Sequence, residues 1–255
     1  MKSAEEKIAL VRPVPNSFDR CVRTNFETID VELARVQHEI YCRMLQSLGL
    51  RLVWVKRDDH LADSCFVEDT AVVLGERAVI CNMSVKSRAP EVIDVANTLK
   101  RFKQLIYIRS PATIDGGDVL KTEDAVFIGL SARTNIEAVN QISEISRDIG
   151  LEVVPLKVRN VLHLKSACTY LGDNCVILSR GNFKTDELSG LRKIIVPKGE
   201  EYAADCLAVN KTVLMAKGHP KTKKLVANEG FQVEELDVSE FRKGEGALTC
   251  LSIIM

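Results

Sequence analysis

The sequence predicts an α/β protein in which one unit of strand, strand, helix and strand is repeated about five times. Two observations predict it. An apolar, β-rich segment recurs at residues 48–55, 101–108, 149–156, 190–197 and 229–236, often directly after a glycine. Most copies follow a stretch whose apolar residues recur at helical spacings of three and four. A repeat at this interval implies a propeller, a solenoid or an array. No Pro/Gly-rich or charged linker interrupts the chain, so one domain is expected over residues 1–255.

The elements follow in order. A strand starts at Ile8, and Pro13 and Pro15 break it, leaving a loop over residues 13–23 that can wall a pocket. Leu33, Val36, Ile40, Met44 and Leu48 form one helical stripe. Strands are expected at 70–74 and 78–81, joined by the turn Leu74-Gly75-Glu76-Arg77. Val92, Val95, Leu99 and Phe102 give a second helical stripe. A strand at 125–128 precedes a third, over Ile136, Val139, Ile142, Ile145 and Ile149, with Thr134 or Asn135 placed as its cap. Residues 175–178, 206–209 and 212–215 read as further strands. Residues 221–229 read as a short helix and 183–192 as a poor one.

Composition limits the function. With 46% hydrophobic and 27% charged residues the chain is an ordinary globular protein. Lys plus Arg and Asp plus Glu both number 35, so nothing points to nucleic acid or an anionic membrane. The eight cysteines form no C-x-x-C pair and have no histidine at zinc-finger spacing. Residues 1–7 lack the apolar run of a leader, and no stretch approaches the roughly 18 apolar residues of a membrane span. The expectation is a cytoplasmic protein with free thiols.

Chemistry concentrates in a few short segments. Cys250 lies in Gly246-Ala247-Leu248-Thr249-Cys250, and His163 in Leu162-His163-Leu164-Lys165-Ser166. Carboxylates cluster in Asp63-Ser64-Cys65-Phe66-Val67-Glu68-Asp69 and in Thr113-Ile114-Asp115-Gly116-Gly117-Asp118. A thiol, an imidazole and carboxylates are the parts of a Cys-His nucleophilic enzyme, and the acids suit a cationic substrate such as a guanidinium. Arg88 and Arg133 each have the donors to hold a carboxylate in bidentate fashion. Taken singly, each segment also reads as a core cysteine, a hairpin turn or a solvated surface. In a strand, His163 would point away from both of its leucine neighbours.

Together and in this order, these segments resemble the dimethylarginine dimethylaminohydrolase family, of the guanidine-modifying (pentein) superfamily. The resemblance runs along essentially the whole chain and includes Gly129-Leu130-Ser131-Ala132-Arg133-Thr134-Asn135. It implies a five-bladed, pseudo-symmetric α/β propeller around a central active-site cavity. It implies Cys250 as nucleophile, His163 as general acid and base, and Asp115 as the acid that orients His163. Asp63, Phe66, Glu68 and Asp69 would line the guanidinium pocket, Arg88 and Arg133 would hold the substrate carboxylate, and the loop near Cys21 would be a lid. Asn82-Met83-Ser84-Val85 stands where the family has Arg-Pro-Gly-Ala, and Ala89 where a second arginine is common.

The reaction implied is hydrolysis of N-omega-methylated arginines to citrulline and an alkylamine through a covalent Cys-thiouronium intermediate, with no cofactor and no metal. The expected partner is a small methylated-arginine substrate and, at most, a second copy of the chain. The nearest rival is a deiminase or hydrolase of plain arginine or a related guanidine on the same scaffold. The distant rival is a non-enzymatic propeller that binds a partner.

Overall fold

The computed structural model describes residues 7–255, so the reading of the N-terminal segment as lacking a leader lies outside it except at Lys7. The chain runs through β1 (Ile8–Val11), α1 (Val31–Ser47) and β2 (Arg51–Trp54). Next come β3 (Ala71–Leu74), β4 (Arg77–Ile80), α2 (Glu91–Leu99) and β5 (Gln104–Tyr107). The third unit is β6 (Val119–Lys121), β7 (Ala125–Leu130), α3 (Ile136–Arg147) and β8 (Glu152–Lys157). The fourth is β9 (Cys168–Gly172), β10 (Cys175–Leu178) and β11 (Arg192–Ile195). The fifth is β12 (Leu207–Val209), β13 (Thr212–Ala216), α4 (Pro220–Asn228) and β14 (Gln232–Leu236), followed by α5 (Ser239–Lys243) and β15 (Ile253–Ile254).

The strands form five three-stranded sheets, one per unit. In four of them the first two strands pair as an antiparallel hairpin and the third lies parallel to the second. Parallel pairing requires a crossover, and α2, α3 and α4 supply it in three of these sheets. The first sheet is made from both ends of the chain. β15 pairs antiparallel with β1 (Ala9 opposite Ile254, Leu10 opposite Ile253), and β1 pairs parallel with β2 across α1. Neighbouring sheets pack through β15 and β3, β6 and β9, and β9 and β12, while α1 reaches β14. The result is a five-bladed α/β propeller closed by its C-terminal strand.

The five recurring segments are the same strand of each blade, the third: β2, β5, β8, β11 and β14. Its pattern is half-exposed, whereas the middle strands β1, β10 and β13 are buried along their whole length. Four of the expected helices form, with Asn135 capping α3 by accepting the amide of Ala138. Residues 183–192 hold only a single 3-10 turn, Thr185–Glu187. Strands β6, β9 and β15 and helix α5 add to the elements expected.

The apolar stripe of α1 is not the face that the helix buries. Leu33, Val36 and Ile40 are exposed, and the helix instead buries Ala34, Gln37, His38, Tyr41, Cys42 and Leu45. Hydrogen bonds are the reason that a more polar face goes inward. Gln37 donates to Ser239 Oγ (2.8 Å) and accepts the amide of Glu240 (3.1 Å), tying α5 to α1. The Tyr41 hydroxyl donates to Leu248 O (3.2 Å) and shares a 2.7 Å hydrogen bond with Ser252 Oγ, bracing the turn that carries Cys250.

Candidate active site

A tight turn or loop leads into the inner strand of every blade, and each one carries polar groups. Val67–Thr70 enters β3 with Glu68 and Asp69, and Gly116–Asp118 enters β6 just after Asp115. The loop over residues 158–167 enters β9 with His163 and Lys165. Glu201–Ala204 leads through Asp205 to β12, and Thr249–Leu251 enters β15 with Cys250. The turn of Glu68 and Asp69 packs against both the Gly116–Asp118 turn and the Cys250 turn. Fivefold repetition therefore gathers side chains that are almost two hundred positions apart.

Glycine permits the closest of these approaches. A Cβ on Gly116 would lie 2.0 Å from the Glu68 carbonyl oxygen. One on Gly117 would lie 2.7 Å from both Asp69 Oδ1 and His163 Nδ1. The Gly117 amide donates to Asp69 Oδ1 (3.1 Å) in the space this leaves. Just before the Cys250 turn, a Cβ on Gly246 would strike the Phe66 ring at 2.3 Å.

His163 sits in the loop before β9 and not on a strand. Asp118 fixes that loop: it accepts the Leu164 amide (2.9 Å) on one oxygen and the hydroxyls of Ser131 and Thr134 (2.6 and 2.7 Å) on the other. A strand would have committed the Leu164 amide to a neighbouring strand. The imidazole lies between two carboxylates, with Nε2 3.1 Å from Asp115 Oδ2 and Nδ1 3.8 Å from Asp69 Oδ1. Burial alone would lower its pKa, but Asp69, the hydrogen bond to Asp115, and Asp118 outweigh burial and raise it to about 9. The ring is thus an imidazolium at neutral pH. Burial likewise works against the charged form of Asp69, yet His163 and Arg88 bring that group down to about 2.

Cys250 is partly exposed on its turn. Burial first, then the charges of Asp205, Asp69 and Glu68, push its thiol well above the ordinary range, against a backbone hydrogen bond at Ala247. At rest the Cys250 thiol is neutral. Glu68 is bound by Lys165 Nζ, and burial still raises its pKa. This pair lines one end of a channel between the inner strands. A second cavity of about 250 Å³ borders the Cys250 turn, lined by Leu162, Ser166, Tyr202, Asp205, Glu245 and Ala247 among others.

The two arginines differ. Arg133 is near the surface of the site, its Nη1 3.5 Å from Asp115 Oδ2 and without a hydrogen bond. Arg88 is buried and fully engaged. It donates to Asp69 Oδ2 (2.8 Å), to the Glu91 carboxylate from Nε and Nη2 (3.2 and 3.0 Å) and to Phe66 O (3.3 Å). Phe66 packs edge-on against Phe18 (centroids 5.6 Å apart) and against Phe241, within the core. Asp63 is also buried and accepts the Val22 amide on both oxygens (3.1 and 3.2 Å), anchoring the loop after Cys21. Asn82, from the stretch that departs from the family pattern, donates to Ala112 O (2.6 Å) in the wall behind Asp115.

Asp69, Asp115 and His163 lie close enough to share a metal ion. Their charges are already answered, however, by Arg88 on Asp69, Arg133 on Asp115 and the imidazolium between them. Sequence reasoning missed Asp205, Lys165, Asp118 and Glu91. Lys165 and Asp118 stood inside the quoted motifs. Asp205 had a signal available, since it precedes an inner strand as Asp69 and Asp118 do.

Comparison with known proteins agrees with this geometry. A family model described as N,N dimethylarginine dimethylhydrolase, eukaryotic, matches residues 12–201. The N(G),N(G)-dimethylarginine dimethylaminohydrolase of Streptomyces coelicolor is 36% identical over 251 residues, covering 97% of this chain and 96% of its own. A crystal structure of dimethylarginine dimethylaminohydrolase in adduct with S-methyl-L-thiocitrulline superposes with a TM-score of 0.94 at 31% identity, covering 98% of this chain and 100% of its own. The Pseudomonas aeruginosa protein, as a cysteine-to-serine variant complexed with citrulline, gives a TM-score of 0.93 at 30% identity, with 98% and 99% covered.

Proposed function

The chain belongs to the dimethylarginine dimethylaminohydrolase family, and from that premise we propose that it hydrolyses N-omega-methylated arginines to citrulline and an alkylamine, with Cys250 as the nucleophile. The observation that carries the reading is a deficit of donors at the buried carboxylates of the site. Glu68 Oε2 and Asp115 Oδ1 are buried carboxylate oxygens with no hydrogen-bond partner. Buried acceptors left unpaired are costly, and a guanidinium offers several N–H donors in one plane together with the positive charge that the acids favour. Arg133 Nη1 is a buried donor also lacking a hydrogen bond, suited to the α-carboxylate.

The chemistry follows from the charges. A bound guanidinium offsets the carboxylates that hold the Cys250 thiol neutral, and the thiol loses its proton to water. The thiolate adds to the guanidinium carbon. The imidazolium of His163 gives its proton to the alkylated nitrogen, the C–N bond breaks, and the amine leaves a thiouronium on Cys250. His163, now neutral, takes a proton from a water that attacks the same carbon. The C–S bond breaks, releasing the urea group of citrulline and a thiolate. Asp115 and Asp69 orient the ring in both half-reactions.

The deciding experiment measures citrulline release from arginine, monomethylarginine, asymmetric dimethylarginine and agmatine. The methylated arginines should give the highest kcat/KM, and Cys250→Ser should remove turnover. Preference for plain arginine would make the protein a deiminase. Preference for agmatine would eliminate the carboxylate clamp.

A further inference from the structure

Four blades deliver the groups used above: Glu68 with Asp69, Asp115, His163 and Cys250. The fifth blade places Asp205 at the equivalent position, after the 3-10 turn Glu201–Ala204 and before β12. It is 4% exposed and has no ion-pair partner among the described residues. Its Oδ1 accepts from both polar groups of Thr249, the hydroxyl at 2.9 Å and the amide at 3.4 Å. Thr249 precedes Cys250, and Asp205 lines the cavity that borders their turn.

We propose that Asp205 is a positioning residue for the nucleophile, fixing the Thr249–Cys250 turn through Thr249 and setting a negative charge behind the thiol, so that Cys250 ionises when a cationic guanidinium arrives and not before. The inference rests on the reading of Cys250 as nucleophile toward a guanidinium. Lys165 favours the Asp205 charge from a distance and Arg242 lines the same cavity, but neither pairs with it directly, and the proposed role explains why such an acid is retained in a buried place, where unpaired charge is costly. Burial, then Glu68, raise the Asp205 carboxyl to about 7, so the charge is present mainly above neutral pH. Asp69 and Glu68 also face Cys250 from the turn before β3, the latter offset by Lys165. Tyr41 from α1 and Tyr202 from the turn before β12 face it as neutral phenols.

The test uses free enzyme and iodoacetamide, following carboxamidomethylation of the Cys250 peptide by mass against pH. Asp205→Asn keeps an acceptor for Thr249 and removes the charge. It should move the titration of Cys250 to lower pH and speed its alkylation about tenfold near pH 8. Thr249→Val keeps the charge and removes the hydroxyl. It should lower kcat without moving the alkylation curve to lower pH. An alkylation profile in Asp205→Asn that overlays the wild type overturns the proposal, as does a Thr249→Val curve that moves as far as that of Asp205→Asn. No substrate enters the alkylation assay, so failure of the methylarginine reading would leave this result standing. Normal methylarginine turnover with an unmoved profile would reject Asp205 alone.

Discussion

Arg88 and Asp69 form a buried ion pair: Nη1 lies 2.8 Å from Oδ2, with the side chains 5% and 4% exposed. Since Arg88 also holds Glu91, its removal strands two buried acids. Breaking a buried pair by deleting one partner costs about 3–5 kcal/mol. Arg88→Ala should therefore lower the unfolding free energy by about that amount, read from urea titration. Arg133→Ala should leave the urea midpoint nearly unchanged and raise KM for methylarginine roughly ten- to hundredfold, the effect of losing one charge-assisted contact. If Arg88→Ala unfolds like the wild type and raises KM alone, it is a substrate clamp and not a brace.

Adjacent glycines should fail differently. In Gly117→Ala the added methyl meets the His163 ring and the Asp69 carboxylate, which are side chains. A displacement near 1 Å of a catalytic group costs about 10²-fold in rate, so kcat should fall that far in a protein that still folds. In Gly116→Ala the methyl meets the Glu68 backbone carbonyl at 2.0 Å, which cannot swing aside. Loss of soluble protein or a large drop in Tm is expected there. Circular dichroism and citrulline release on both variants separate the cases, and a fully active Gly117→Ala would refute the packing argument.

The fold was legible where the sequence alternates and illegible where it does not. β2, β5, β8, β11 and β14 each face water on one side, so their pattern shows and the fivefold period with it. β15 is only two residues long and belongs to a sheet whose other strands lie near the opposite terminus, a pairing with no local signal. On α1, an exposed apolar ridge hid the true buried face, where Gln37 and Tyr41 are admitted because specific hydrogen bonds satisfy them. The segments carrying Cys250, His163, Asp115, Glu68 and Asp69 were legible as motifs. Which arginine is engaged and which is open was not, because Glu91 is an ordinary helix residue until α2 docks and places it on Arg88.

The imidazole makes a signed prediction about pH. The folded His163 pKa of about 9 exceeds the ordinary 6.5, so protonation stabilises the fold. That contribution is complete below pH 6.5, shrinks as pH rises, and is gone once pH passes about 9. The difference in unfolding free energy between wild type and His163→Gln should follow this course from pH 6 to 10. kcat/KM should fall on the alkaline side near the same value, as the acid that protonates the leaving amine is lost. A stability difference that grew with pH would mean that the ring is buried neutral.

The loop after Cys21 is held at two points, and the second is next to the chemistry. Asp63 takes the Val22 amide, while Glu245 Oε1 accepts the amides of Thr24 (2.7 Å) and Asn25 (3.2 Å) as well as the Thr24 hydroxyl. Asn25 also donates to Lys243 O (2.9 Å). Glu245 has a positive φ of 59° and stands five residues before Cys250, so the loop is latched to the segment that leads into the nucleophile turn. These hydrogen bonds are near the surface, each contributing about 1 kcal/mol, and a latch of that strength can open and close during turnover. Glu245→Ala should free the loop, so trypsin should cut after Arg23 several-fold faster than in the wild type, with KM raised and Tm changed little. Glu245→Gln keeps an acceptor and should recover most of the wild-type resistance. Equal cleavage rates in the wild type and Glu245→Ala would mean that Asp63 and the packing of Phe18 hold the loop without Glu245.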